Sequence, residues 1–507
     1  MTSQWLIVPV AVPAMTAALL VLAMHYGYAV QRALSVAATG IQLAVAIGLF
    51  ILASDGESRV YLLGAWPAPF GIVLVLDRLS SIMLLLTAVV AFGVVLASIR
   101  EWDTRGRHFH SLFQFQLLGV NGAFLTGDLF NLFVFFEVLL IASYGLMLHG
   151  GGPKRLKAGF HYVAVNLIGS TVFLFAVGTI YAVTGTLNMA DLAVKVPQVA
   201  AGNEALLAAG ALLLFTVFAI KSAMVPLHWW LAPTYGSTSP AAAALFALMT
   251  KVGAYSIIRV YTLIFGADAG PLANIALPWI LPAAILTLVM GTLGVLASRS
   301  LLDLVCYALV ASMGTLLIAV GLASAEGLAA ALYYAVQSTV TSSALFLLAG
   351  LMARAGEHAS AKAKAYTPGT AVLGLYFLLA IASVGMPPLA GFLGKLLILD
   401  AGRTSPHIAL IWSFILITSL LLILGFARFG IQTFWSRPRA ADAAAAQPMP
   451  AMLTAVIAGM IVVLAALSVF AGPVMENMTA MAEQLLEPQR YIRAVLPPAA
   501  TAGLVGG

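Results

Sequence analysis

The sequence predicts an all-α polytopic membrane protein of about 14 transmembrane helices that contains two inverted five-helix repeats, each with one broken helix. Three observations predict it. Hydrophobic residues make up 62% of the 507 positions and charged residues only 8%, with a mean hydropathy of +1.05, which no soluble single-core protein has. The apolar residues fall in windows of about 20, the length that spans a bilayer. Two of those windows are interrupted by proline and carry a lysine.

The windows run in order over 5–24, 31–53, 77–99, 111–126, 129–149, 159–184, 205–229, 239–265, 273–297, 301–322, 328–354, 370–400, 407–435 and 450–472. The first has no basic start and no clean cleavage pattern, and reads as a retained span and not a signal peptide. Between the second and third, RVYLLGAWPAPFGIVLVLD alternates and holds two prolines, which suits an extracytoplasmic hairpin. Beyond the last, MENMTAMAEQLLEPQRYIRAVL reads as an amphipathic helix lying at the surface or on a partner. Residues 1–110 thus form an N-terminal helical unit, 111–265 and 273–435 the two repeats, and 450–507 the last span with its tail.

The net charge of +6 resembles a nucleic-acid signal, but its distribution follows membrane topology. Of the Lys and Arg residues, 13 fall in loops after odd-numbered spans and 5 in the opposite loops and tail. That bias places the odd-to-even loops in the cytoplasm and both termini outside. The single cysteine, Cys306, makes no internal disulfide and excludes a cysteine metal cluster.

Ionisable residues inside the spans are few, and each is expensive unless it faces protein or water. In the fifth span, Glu137 interrupts NLFVFFEVLLIASYGL; the alternative to a transport role is a structural ion pair between helices. In FTVFAIKSAMVPLHWWL, Lys221 precedes Pro226, which removes a backbone donor and breaks the helix, leaving carbonyls for water or an ion. His228 follows Lys221 by seven residues; on an unbroken helix the two would share a face about 10 Å apart. A histidine there titrates near neutral pH and suits a relay, or else is a packing residue. Lys251 sits mid-span in KVGAYSIIR, so snorkelling to an interface is the lesser reading. In the twelfth span Gly385, Pro387, Pro388 and Gly391 interrupt the helix before Lys395. Five helices separate the two breaks, and an odd number makes the repeat inverted, with broken helices in corresponding places pointing to an ion site near the midplane.

At these residues the chain resembles the antiporter-like subunits shared by Mrp-type cation/proton antiporters, respiratory complex I and membrane-bound hydrogenases. GDLFNLFVFFEVLLIASYGL, KSAMVPLHWWL, KVGAYSIIR, ASMG at 311–314 and GMPPLAGFLGK carry the resemblance, which covers nearly all of spans three to thirteen. It implies that Glu137 and Lys221 form a charge pair, that Lys251 takes protons toward the centre, and that Lys395 passes them to the other side. Tyr235 after WLAPT and the absence of a long lateral helix resemble the D-type branch of the Mrp (Pha) antiporter subunits most. Gln337 and Ser342 stand where relatives have histidine and lysine, and Asp303 lies where basic and serine residues are usual, so no such roles transfer to them.

The resulting expectation is a proton-translocating subunit of a multisubunit Na+ or K+/proton antiporter in a bacterial inner membrane. Its relay would be Glu137, Lys221, His228, Lys251 and Lys395, and its partners small membrane subunits, protons, a monovalent cation and lipid. The alternatives are the pumping arm of an NADH dehydrogenase- or hydrogenase-type complex, and a membrane scaffold. With no Rossmann glycines, cysteine cluster or haem ligand pair, no cofactor, metal or redox step is expected in this chain.

Overall fold

A computed structural model describes residues 2–357, 369–435 and 450–497. Lys362, Lys364, Arg437 and Arg439, which contribute to the loop charge bias, lie outside the described residues. The order begins α1 (Val8–Leu22), α2 (Tyr28–Ala53), a hairpin of β1 (Arg59–Leu62) and β2 (Val73–Leu76), α3 (Arg78–Ser98), α4 (Phe109–Leu125), α5 (Leu129–Leu148) and α6 (Pro153–Thr184). It continues with α7 (Met189–Lys195), α8 (Glu204–Lys221), α9 (Leu231–Tyr235), α10 (Pro240–Leu263), α11 (Leu277–Ala297), α12 (Leu301–Val320) and α13 (Ala325–Glu357). Then come α14 (Thr370–Val384), α15 (Ala390–Ala401), α16 (Ile408–Phe434), α17 (Ala451–Val469), α18 (Ala471–Leu486) and α19 (Pro488–Val495).

Every expected window holds helix. Among the described residues 12 helices are long and apolar enough to cross a membrane. The two remaining windows hold α4, which is 17 residues long, and the interrupted pair α14 and α15. The chain is a polytopic helical membrane protein.

Local chemistry sets the helix ends. Asp77 accepts from Ser80 N at 2.9 Å while Ser80 Oγ accepts from Asp77 N at 2.9 Å, a reciprocal cap that starts α3. Asp128 caps α5, Ser239 caps α10 ahead of Pro240, and Ser300 caps α12. Gly185 ends α6 and Gly385 ends α14, both at positive φ (69° and 83°), where a side chain would be strained.

The helices pack around α10 and α13. α10 is buried throughout its length, and α13 touches α10, α12, α14, α15, α17 and α18. Loops after even-numbered spans gather at one end. The antiparallel hairpin bridges Leu74 to Thr126, Asp128 bridges to Asn188, and Gly270 lies against Pro197. Those after odd-numbered spans gather at the other, where Arg32 binds Asp103, His149 Nε2 donates to Trp102 O at 2.8 Å and Arg155 Nε donates to Ser237 O at 3.1 Å.

The tail differs from the single helix expected. Pro488 breaks it into α18 and α19, and both fold onto this same chain. Gln484 donates to Gly56 O at 2.8 Å and accepts from Arg78 N at 3.2 Å. Tyr491 is buried and lies over the Arg259 guanidinium, 5.3 Å from its ring centroid. Arg259 in turn makes a bidentate pair with Asp77, at 2.7 and 2.8 Å, and its Nε donates to Tyr255 OH at 3.3 Å.

Removing one partner of a buried ion pair leaves the other charge uncompensated, at a cost of about 3–5 kcal/mol. Asp77→Asn is therefore expected to lower the thermal unfolding midpoint of the detergent-purified protein, and an unchanged midpoint would show that the pair contributes no stability.

Candidate functional site

The two breaks differ in how their lysines reach them. α8 ends at Lys221, and residues 222–230 turn before α9. The turn is held by Met224 N donating to Ala219 O at 2.9 Å, by the Trp230 indole donating to Ile220 O at 3.0 Å, and by Val225 N donating to Thr287 Oγ1 at 2.9 Å from α11. α10 presses on this turn at Gly253, where an added Cβ would lie 2.6 Å from Ser222 Oγ and 2.9 Å from the Lys221 carbonyl carbon. In the second break, Gly385 to Leu389 separate α14 from α15, and Lys395 folds back across Gly385. Its Nζ donates to Val384 O at 2.7 Å and to Ser419 Oγ of α16 at 2.8 Å.

The Lys395 ammonium thus sits at the C-terminal end of α14, whereas Lys221 turns its ammonium from the end of α8 onto Asn166 of α6. The negative end of a helix dipole favours a cation there, by about 0.3–1 kcal/mol and up to about 2 when partly buried. Lys221 is the last residue of its helix, whereas Lys395 reaches the equivalent place from the other side of the break.

Glu137 and Lys221, expected to form a charge pair, make no contact ion pair among the described residues. Instead Lys221 Nζ donates to Asn166 Oδ1 at 2.9 Å, and Glu137 Oε1 accepts a hydrogen bond from Ser170 Oγ. Asn166 and Ser170 are one turn apart on α6, so a neutral polar strip stands between the charges. Asn166 Nδ2 is tied to Tyr162 O at 2.9 Å, and Tyr162 OH meets Ser143 Oγ at 2.9 Å.

Lys251 is the least compensated. It is 1% exposed, and among the described residues its hydrogen-bond partner is the Met313 sulfur at 3.3 Å, a weak acceptor. Between it and Lys395 lies α13, whose buried Gln337 is bonded by Thr341 Oγ1 (3.4 Å to Oε1) and lies beside Gly394, next to Lys395. Tyr334 of α13 packs against the same glycine.

His228 does not share a helical face with Lys221, because α8 has ended before it. It is half-buried in the turn, next to Trp229, whose ring lies 5.0 Å from that of His161, tilted by 59°. Asn166, Ser170, Met313 and Ser419 were not identifiable from sequence, since neutral polar residues are common helix glue. The i, i+4 spacing of Tyr162, Asn166 and Ser170 was the available signal. Among the described residues no group of three or more His, Cys, Asp or Glu side chains could hold a metal ion.

The profile of the NADH:quinone oxidoreductase/Mrp antiporter transmembrane family matches residues 126–422, which contain both breaks together with Glu137, Lys221, Lys251 and Lys395. The chain belongs to this family. It is 42% identical to the D-type component of a probable K(+)/H(+) antiporter of Rhizobium meliloti, over 97% of each chain. It is 37% identical to the D-type component of the Na(+)/H(+) antiporter of Bacillus subtilis, covering 97% of this chain and 99% of that one. A chain in the structure of the Mrp complex from a Dietzia species superposes with a TM-score of 0.86 at 29% identity, covering 98% of this chain and 100% of that one.

The contact at Gly253 sets how closely α10, and with it Lys251, approaches the first break. Overpacking of this kind costs about 1–3 kcal/mol. Gly253→Ala is expected to lower both the unfolding midpoint and transport, whereas Gly178→Ala, with nothing within 4 Å of the new methyl group, is expected to change neither. Equal behaviour of the two variants in a thermal melt would refute the packing constraint.

Proposed function

We propose that this chain is the D-type component of a multisubunit monovalent cation/proton antiporter, and that it moves protons along Glu137, Lys221, Lys251 and Lys395. The observation that carries the reading is that these four charges are embedded in apolar helices and none of them is neutralised by a contact ion pair among the described residues. Structural charges in a membrane are ordinarily paired. Charges held only by amide, hydroxyl, sulfur and carbonyl groups stay available to exchange protons. The names of the antiporter relatives supply the antiport reaction and the choice between Na+ and K+ as its cation.

In this scheme Lys251 is the central carrier. A lysine can cycle between ammonium and amine, and Met313 offers little to hold it in the charged form. Lys221 and Glu137 bias it from one side. Lys395 receives the proton across the neutral belt of Gln337, Thr341 and Tyr334 and releases it beyond the second break. His228 serves at the edge of the first break as an exchange point with water. Residues 111–265 and 273–435 act as the two inverted repeats, with loops after odd-numbered spans in the cytoplasm and both termini outside; the gathering of odd and even loops at opposite ends supports that arrangement. Other membrane subunits of the complex complete the cation route. The chain acts as a transporter subunit in a bacterial inner membrane and performs no redox step. The pumping arm of a redox complex is the second reading, and the antiporter relatives favour the first over it.

Lysine and arginine separate proton carriage from simple positive charge, because arginine does not deprotonate in proteins. Lys251→Arg, Glu137→Gln and Lys221→Ala are each expected to abolish cation-dependent ΔpH in everted vesicles while the complex assembles. Retained activity in Lys251→Arg would remove Lys251 from the relay.

The prolines test the breaks without altering charge. Pro226→Ala and Pro387→Ala are expected to slow antiport in the same vesicles with normal assembly, and wild-type rates in both would reduce the bends to packing features.

A further inference from the structure

The Glu137–Lys221 couple is separated by one face of α6, and that face has three parts. Asn166 presents Oδ1 to the Lys221 ammonium at 2.9 Å. Ser170, four residues on and about 6 Å further along the helix by the rise per residue, donates its hydroxyl to Glu137. Between them Gly169 has no side chain, and a Cβ there would lie 3.5 Å from Lys221 Nζ and 3.8 Å from Cε. The lysine stem therefore runs alongside bare backbone between its present acceptor and the carboxylate.

We infer that Asn166, Gly169 and Ser170 form a seat on α6 that holds Glu137 and Lys221 apart, and leaves a corridor through which the Lys221 ammonium swings onto Glu137. This rests on the proposed proton relay and assigns positioning residues to it. The chemistry of the three residues fits the role. An ammonium has three donors and no acceptor, so the Asn166 oxygen satisfies the protonated lysine. A hydroxyl that donates to a carboxylate oxygen makes a charge-assisted bond, roughly twice as strong as a neutral one. Each contact stabilises the open arrangement, and both must be released for the contact pair to form. Asn166 is itself fixed by its bond to Tyr162 O, whereas Lys221 has a flexible four-carbon stem. The lysine is the part that moves. A side chain at position 169 larger than a methyl group would fill the corridor while leaving every charge in place.

The test compares everted vesicles holding equal amounts of assembled complex, with the maximal antiport rate and the half-saturating cation concentration measured separately. Asn166→Leu preserves side-chain volume, and Ser170→Ala removes only the donor. Each is expected to lower the maximal rate by about tenfold or more, with the half-saturating concentration unchanged. Ser170→Thr keeps the hydroxyl and is expected to restore the rate to within about twofold of wild type. Asn166→Asp, which disturbs packing least, is expected to pin the ammonium beside the new carboxylate and also lose rate. Gly169→Ala is expected to be tolerated and Gly169→Leu to be inactive. Wild-type maximal rates in Asn166→Leu, Asn166→Asp and Ser170→Ala, alongside an inactive Glu137→Gln, would overturn the seat and leave the relay standing. An active Glu137→Gln would overturn the relay, and the seat with it.

Discussion

The structure depends on one constraint: a charge inside a bilayer must be satisfied, yet a charge satisfied by a tight opposite charge cannot do work. Lys221, Lys251 and Lys395 lie between these limits. Each is buried to within a few per cent of full enclosure, and each is met by neutral atoms. The broken helices follow from this. At the second break the freed end of α14 offers the Val384 carbonyl to Lys395, while Lys221 and Lys251 are met by side chains of neighbouring helices. The contrast lies in the same molecule, on α10 itself. Arg259, two turns beyond Lys251, is locked to Asp77 by two hydrogen bonds, and that locked charge serves as architecture.

The two breaks reach one electrostatic arrangement by different routes along the chain. In the first, the lysine belongs to the half-helix whose end it occupies. In the second, it belongs to the following half-helix and bends back over a glycine that has no room for a Cβ, since one there would lie 2.8 Å from Lys395 Cδ. The common element is a lysine at a helix break whose ammonium meets neutral oxygen atoms. An alignment of lysine positions along the chain would not register the equivalence.

Much of the fold was legible because membrane helices are specified by length and apolarity, and the apolar windows needed little beyond counting. Glu137, Lys221, Lys251 and Lys395 were legible for a related reason: at this low charge density every buried charge stands out. What they touch was not. Whether Glu137 meets Lys221 directly depends on the rotation of α6 between them, and the sequence of α6 presents Asn166 and Ser170 as ordinary polar residues in a long apolar helix. The turn after Lys221 similarly voided a seven-residue spacing argument for His228, because periodicity ends where the helix ends. The tail was legible as amphipathic, but an apolar stripe does not say whether lipid, a partner or the chain itself covers it. Here Tyr491, Ile492 and Val495 are buried against the chain.

The placement of Tyr491 has a consequence for biogenesis. Asp77 and Arg259 enter the membrane early, while the aromatic ring that covers them arrives only after α10 to α18 have been threaded and packed. Until then the guanidinium is open to water on the side the hairpin occupies. The Asp77–Arg259 pair of this end is thus covered by the part of the chain made last.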